Sequence, residues 1–191
     1  MGCISSKMSR SDGNVKSLLM IGLDGAGSTT ILYRLVLNKC IDTIPTLGVN
    51  QESLSFGGIE YDIWDIGGLD KMRPLWRQYS RATDAYIFVL DAADQQRAIL
   101  AADELQAFFD DMYVKSQEIP GDPLLVYANK KDLPDAMTES EIESILKLPD
   151  LPVSNYRIVP CCGKTGENLR EGLGWLTDEL KQTVTNSDFM T

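Results

Sequence analysis

The sequence predicts a single α/β domain built on a six-stranded, mostly parallel sheet with one antiparallel edge hairpin and helices on both faces. Three observations predict it. Short apolar runs alternate with helix-period stretches from Ser17 onward, a Gly-Gly pair divides two runs of alternating polarity, and polar or glycine-rich strings follow the apolar runs. A length of 191 residues suits one core rather than several.

Ser17 to Leu23 reads as a buried strand, and Thr29 to Asn38 carries helical periodicity. From Gln51 to Ile66, Leu54 and Phe56 alternate with polar residues, Gly57-Gly58 turns the chain, and Ile59, Tyr61 and Ile63 alternate back, which is a β-hairpin. Ala85 to Asp91 is a second buried strand, followed by a helix over Gln95 to Met112 that presents Leu100, Leu105, Phe108 and Phe109 to the core. Pro123 to Ala128 and Tyr156 to Pro160 read as strands, Glu139 to Leu146 and Glu167 to Thr183 as helices. The expected organisation is a tail over 1–16, the domain over 17–184 and a C-terminal tail over 185–191.

Composition narrows the chemistry. The chain has 18 basic against 28 acidic residues, a net charge of −10 and a pI near 4.5, the wrong sign for binding a phosphate backbone, so no nucleic-acid partner is expected. Three basic residues and one acidic residue belong to the first 16 positions. The remaining 15 and 27 give the body a net charge of −12. The chain has no histidine, which excludes imidazole acid/base chemistry, Ser-His-Asp triads and imidazole metal sites. Four cysteines, Cys3, Cys40, Cys161 and Cys162, show no C-x-x-C spacing and read as reduced thiols apart from Cys3. No run reaches the roughly 18 apolar residues of a membrane span and no signal peptide is apparent, so a cytoplasmic protein is expected.

The strings at the strand ends carry the chemistry. Gly22-Leu-Asp-Gly-Ala-Gly27 leaves the first strand and opens the first helix, where backbone N–H groups and a positive helix end suit an anion. It matches G-x-x-x-x-G-K-[ST] except that Ser28 stands at the lysine position, and Thr29 then supplies the hydroxyl for Mg²⁺. Asp65-Ile-Gly-Gly68 places a carboxylate at a strand end beside a glycine whose N–H can meet a terminal phosphate. Asn129-Lys-Lys-Asp132 suits guanine: Asp132 accepts from the ring N–H and the amino group, a pair that adenine does not offer. Asn129 would hold the loop, Lys130 would lie along the base, and a backbone N–H of Cys162-Gly163-Lys164 would meet the guanine carbonyl.

In order and spacing these strings resemble a Ras-like small GTPase. Gly22 to Gly27, Ile44-Pro-Thr-Leu-Gly48, Trp64-Asp-Ile-Gly-Gly68, Lys71 to Tyr79 and Asn129 to Ala136 resemble the ADP-ribosylation factor (Arf) family, over residues 17 to about 183. The resemblance implies a Ras-like P-loop fold that binds GTP or GDP with Mg²⁺. The phosphates would lie on Asp24, Gly25, Ala26, Gly27, Ser28, Thr29 and Thr30, and the base on Asn129, Lys130, Asp132, Cys162, Gly163 and Lys164. Thr46 would be the switch I threonine that joins Thr29 on the metal, and Gly68 the switch II sensor. The chain is expected to act as a monomer that meets an exchange factor, an activating protein and effectors in trafficking or signalling.

Three residues depart from the family pattern. Ser28 removes an ammonium from the β- and γ-phosphates, a loss on the order of 2 to 5 kcal/mol, or roughly 30-fold to several thousand-fold in affinity, while also suiting a helix cap. Leu69 stands where the family has the glutamine that orients the attacking water, so hydrolysis should be slow. Val49 replaces the phenylalanine of an exposed aromatic triad whose other members, Trp64 and Tyr79, are present. A second hypothesis follows from these changes: a non-enzymatic interaction protein, GTP-locked or binding nucleotide poorly, that acts as a scaffold.

Met1-Gly-Cys-Ile-Ser-Ser6 fits M-G-x-x-x-[ST], which makes Gly2 a myristoylation candidate and Cys3 a palmitoylation candidate. One acyl chain binds membranes marginally, and Cys3, Lys7 and Arg10 would add the second signal. Residues 3–16 hold only Ile4, Met8 and Val15 as large apolar groups, too few for the amphipathic helix usual in Arf proteins, so acyl chains should dominate attachment to the cytosolic face of a Golgi, endosomal or plasma membrane.

Overall fold

The computed structural model describes residues 15–41, 43, 46–80, 83–116 and 122–187. Gly2, Cys3 and the rest of the expected tail to residue 14, Ile44 and Pro45 of the Ile44-Pro-Thr-Leu-Gly48 string, Arg81 and residues 188–191 lie outside them.

The chain runs β1 (Val15–Gly22), α1 (Ser28–Leu37), β2 (Val49–Phe56), β3 (Ile59–Ile66), a 3₁₀ turn (Arg73–Leu75) leading into α2 (Trp76–Tyr79), and β4 (Ala85–Asp91). It continues through α3 (Gln95–Ser116), β5 (Leu124–Asn129), α4 (Glu139–Leu146), a 3₁₀ turn (Leu148–Asp150), β6 (Tyr156–Pro160) and α5 (Leu169–Ser187). The six strands form one sheet in the order β2-β3-β1-β4-β5-β6. Within it only β2 and β3 are antiparallel, paired from Val49 opposite Ile66 to Phe56 opposite Ile59. Gly57 and Gly58 join them with φ of 59° and 83°, the left-handed pair that a two-residue hairpin turn with the sheet's twist requires. The α/β fold with one antiparallel edge is therefore the one expected.

The sheet is buried on both faces, and strand alternation divides the core in two. In β1, Leu19 and Ile21 join Phe88, Val126, Trp76, Leu105, Phe108 and Ile142 beneath α2, α3 and α4. Leu18 and Met20 point the other way and meet Ile87, Leu125, Ile31, Leu35, Leu173 and Leu176 beneath α1 and α5. The continuous apolar runs of β4 and β5 follow, since every residue of a central strand meets one core or the other. Trp76, Tyr86, Phe108 and Phe109 interlock edge to face with centroids 5.1 to 6.4 Å apart.

Leu100 departs from expectation. Leu105, Phe108 and Phe109 are buried, but Leu100 is 39% exposed beside exposed Ile99. At 100° per residue Leu100 lies about 140° around α3 from Leu105, and the buried stripe runs through Ala98, Ala101, Leu105 and Phe108 instead. The helix α2 and the two 3₁₀ turns carry too few residues to show a period, and nothing in the sequence pattern marks them. Among the described residues, no helix is long and apolar enough to cross a membrane.

The hairpin's far end is fastened to α5. The buried hydroxyl of Tyr61 donates to Thr177 Oγ1 at 2.8 Å, Thr177 donates to the Leu173 carbonyl, and Lys181 Nζ reaches the Gly57 carbonyl at 2.7 Å. Arg170 lies over the Phe56 ring, 5.7 Å from its centroid. Thr177→Val would leave the Tyr61 hydroxyl buried without its acceptor, and urea unfolding should report a loss of about 1 to 3 kcal/mol.

Candidate functional site

The expected site residues converge where the carboxyl ends of the parallel strands open, the position at which α/β sheets hold ligands. Asp24, Gly25, Gly27, Ser28, Thr29, Thr30, Thr46, Gly68, Asn129, Lys130, Asp132, Cys162, Gly163 and Lys164 line one cleft of about 480 Å³. Ala26 is buried beneath it, and Leu69, half-buried just past β3, does not line it.

The loop from β1 to α1 is shaped by its glycines. Gly25 and Gly27 have φ of 78° and 96°, and a Cβ on Gly27 would lie 2.5 Å from Asn129 Nδ2. Gly27, rather than Ser28, is the N-cap of α1. Ser28 is the first helical residue, and no side chain caps this end. The backbone turns left-handed one residue before the serine, so the free N–H groups at the start of α1 face the cleft.

Asn129 joins this loop to the opposite wall. Only 4% exposed, it donates from Nδ2 to the Ala26 carbonyl at 2.8 Å and accepts from the Gly163 N–H at Oδ1, also at 2.8 Å. The Gly163 donor is thereby committed to the frame. Lys130, in a left-handed conformation with φ of 65°, sends its Nζ to Asp91 at 2.5 Å. Asp132 keeps an exposed carboxylate at the rim. A hydrogen bond from Cys162 first, then its own backbone N–H and the Lys164 and Lys130 charges, hold it below the usual carboxylate range. Burial pushes the Cys161 thiol far up, and Cys40, Cys161 and Cys162 are free thiols, in line with the reading of reduced cysteines.

At the other end of the cleft lies an oxygen cluster. Thr29 Oγ1 donates to Asp65 Oδ2 at 2.6 Å, and its one proton being used there, the 2.8 Å contact with Thr46 Oγ1 has Thr46 as donor. Asn50 Nδ2, opposite Asp65 in the hairpin, donates to the same Oδ2 at 3.1 Å. Asp65 is fully buried, and its Oδ1 has no partner among the described residues. The sequence marks Asp65 only as a strand-end carboxylate. Its cross-strand partner Asn50 becomes visible only once the hairpin register is fixed.

Two glycines seat the segment after β3 against this cluster. The Gly67 N–H donates to the Gly48 carbonyl, and a Cβ on Gly67 would lie 2.2 Å from the Thr46 carbonyl oxygen. A Cβ on Gly68 would lie 2.1 Å from the Gly22 carbonyl oxygen and 2.3 Å from the Asp24 nitrogen. Trp76 Nε1 donates to the Gly67 carbonyl and Arg73 Nε to that of Gly68, at 3.3 and 2.9 Å. Within the stretch Lys71 to Tyr79, Arg73 is paired with Asp70 and Glu104, and Arg77 with Asp111.

The sequence profile of the ADP-ribosylation factor family matches residues 2–180. The chain belongs to the ADP-ribosylation factor family. A similar solved structure is that of the Arl6 (BBS3) small GTPase from Trypanosoma brucei with a bound nucleotide analogue, GppNp. Identity is 31%, the alignment covers 88% of this chain and 98% of that one, and the TM-score is 0.77. The Ras-like fold follows from that match and from the sheet order.

Against the Arf-family pattern, the aromatic triad is partly withdrawn. Trp64 and Tyr79 pack with centroids 5.2 Å apart, and Val49, on the same hairpin face as Trp64, packs with them at the edge of the core, so all three are half-buried rather than fully exposed. Asn129→Ala would strip two backbone groups of their partners. Denaturant unfolding of this Arf-family protein should register a loss of about 2 to 4 kcal/mol.

Proposed function

We propose that this Arf-family chain is a guanine-nucleotide switch, attached to cytosolic membrane faces through acylation at Gly2 and Cys3, with slow intrinsic GTP hydrolysis. The observation that carries the reading is one cleft with two different ends, an exposed acceptor, Asp132, at one and the Thr29–Thr46–Asp65 oxygen cluster at the other. Asp132 would select guanine by accepting two adjacent N–H groups, with Lys130 along the base and Asn129 fixing both walls. The phosphates would then run toward Ser28 and the start of α1, with Asp24, Gly25, Ala26, Gly27 and Thr30 forming the surrounding loop.

The oxygen cluster fits Mg²⁺. Its donors are hydroxyls beside a buried carboxylate with an unpartnered oxygen, the hard donors this ion takes together with phosphates. Thr29 and Thr46 would hold the ion, oriented by Asp65. When bound, it neutralises charge on the phosphate oxygens. Thr46 ties switch I to a triphosphate, and the Gly68 N–H reports the terminal phosphate through switch II. Exchange factors, activating proteins and effectors would meet the switches and the Val49, Trp64 and Tyr79 patch.

Chemistry is where this chain differs. The Leu69 side chain has no polar atom to orient water. Ser28 offers a hydroxyl in place of an ammonium, which favours a second reading, a scaffold that holds nucleotide weakly. Protein purified in Mg²⁺ buffer and denatured for mass analysis of released nucleotide separates these. Stoichiometric GTP is the expected result, GDP would show that turnover proceeds without a glutamine, and an empty pocket would favour the scaffold.

Ser28→Lys should tighten binding by roughly 30-fold or more in titration with labelled GDP. Leu69→Gln should raise the single-turnover hydrolysis rate by about tenfold or more. Gly2→Ala should release the protein from vesicles in flotation, and retained binding would remove acylation from the account.

A further inference from the structure

The phosphate end of the cleft lacks a positive side chain. Among the described residues lining the cleft, the cations are Lys130 and Lys164, both on the Asp132 side, and Lys130 is engaged by Asp91. Among the described cleft-lining residues at the opposite end, the one bearing a carboxylate is Asp24, while Asp65 of the oxygen cluster is buried and does not line the cleft. Asp24 sits on the stretch against which Gly68 packs, the Asp24 nitrogen lying 2.3 Å from where a Gly68 Cβ would be. The Asp24 backbone therefore borders the place where a third phosphate would be sensed, and an uncompensated carboxylate on that residue would repel one.

Arg97 answers that charge from outside the cleft. It lies in the first turn of α3, where Asp94 caps the helix by accepting from the Arg97 and Ala98 backbone N–H groups. Its Nη1 donates to the Asp24 carbonyl at 2.7 Å and its Nη2 to Asp24 Oδ1 at 2.6 Å, so one guanidinium holds both the backbone and the carboxylate of the same residue. Arg97 does not line the cleft itself, and it also lies beside Gly25, where a Cβ would be 3.8 Å from Nη1. An Arg can do this where a Lys could not with equal geometry, because its planar fork reaches two acceptors at once.

We propose that Arg97 is a positioning residue for the phosphate end of the cleft: by pairing with Asp24 it removes a repulsive carboxylate and fixes the loop, in a chain where Ser28 leaves no lysine to outweigh that charge. This deepens the guanine-nucleotide reading and rests on it. Because Asp24 lies at the Gly68 end, Arg97 bears more on a triphosphate than on a diphosphate and so sets the preference between the two states of the switch.

The test is fluorescent GTP and GDP titration of the full chain in Mg²⁺ buffer, comparing the wild type with Arg97→Gln, Arg97→Lys, Asp24→Asn and the Arg97→Gln/Asp24→Asn double variant. Arg97→Gln should weaken GTP by about tenfold and GDP by about threefold or less, with Arg97→Lys between it and the wild type. The double variant should return to within about threefold of the wild type, because the charge that needed an answer has gone. In a Ser28→Lys background the effect of Arg97→Gln should shrink. A role confined to packing α3 predicts no rescue by Asp24→Asn and no difference between GTP and GDP, and either result overturns the proposal. Wild-type affinities for Arg97→Gln overturn it too. A wild type that takes up neither nucleotide overturns the guanine-nucleotide reading and this proposal together, whereas binding that the variants leave unchanged overturns this proposal alone.

Discussion

The buried carboxamide of Asn129 is the constraint on which the rest of the site depends. The Gly22–Gly27 loop and the Cys162–Lys164 loop are separated by most of the chain, and each is backbone with few fixed side chains. One side chain at the end of β5 supplies a donor to the first and an acceptor to the second. With both of its groups used and almost no exposure, it sets the width of the cleft. An aspartate would offer no donor to Ala26, and a leucine would satisfy neither loop.

Around that fixed width the hairpin supplies the opposite end of the cleft. The ends of β2 and β3 bring Thr46, Asp65 and Asn50 onto Thr29 of α1, and Gly67 and Gly68 then lie against backbone on both sides, with no room for a side chain. The opposite end of the same hairpin is held to α5 through Tyr61, Thr177 and Lys181. A strand pair anchored at one end and seated in the cleft at the other ties the two regions mechanically. Its register resists slippage, because a one-residue shift would send Ile63 and Tyr61 out of the core and Asp62 and Glu60 in.

Much of this was legible in the sequence. Strand alternation located the sheet, since burial on both faces leaves an unbroken apolar run, and Gly57-Gly58 marked its antiparallel reversal. The strings at the strand ends located the cleft because phosphate and guanine each demand particular atoms at particular places. What escaped had physical reasons. Leu100 is apolar and helical but lies off the buried stripe, a distinction composition does not carry. The four residues of α2 are too few for a period. Arg97 and Asn50 act through contacts with residues distant in the chain, and no local pattern marks them. Ser28 looks like a cap by residue type, yet the left-handed turn at Gly27 decides where the helix begins.

The guanidinium of Arg73 has a consequence beyond the cleft. It grips the Gly68 carbonyl with Nε while its other nitrogens hold Glu104 of α3 and Asp70. A ligand at the terminal-phosphate end and a macromolecule approaching the outer face of α3 thus draw on the same three charged groups. A partner that drew Glu104 away would leave the Arg73 guanidinium with Asp70 and the Gly68 carbonyl alone. If seating Gly68 and occupying Glu104 are coupled through Arg73, thermodynamic reciprocity makes the two effects equal in free energy.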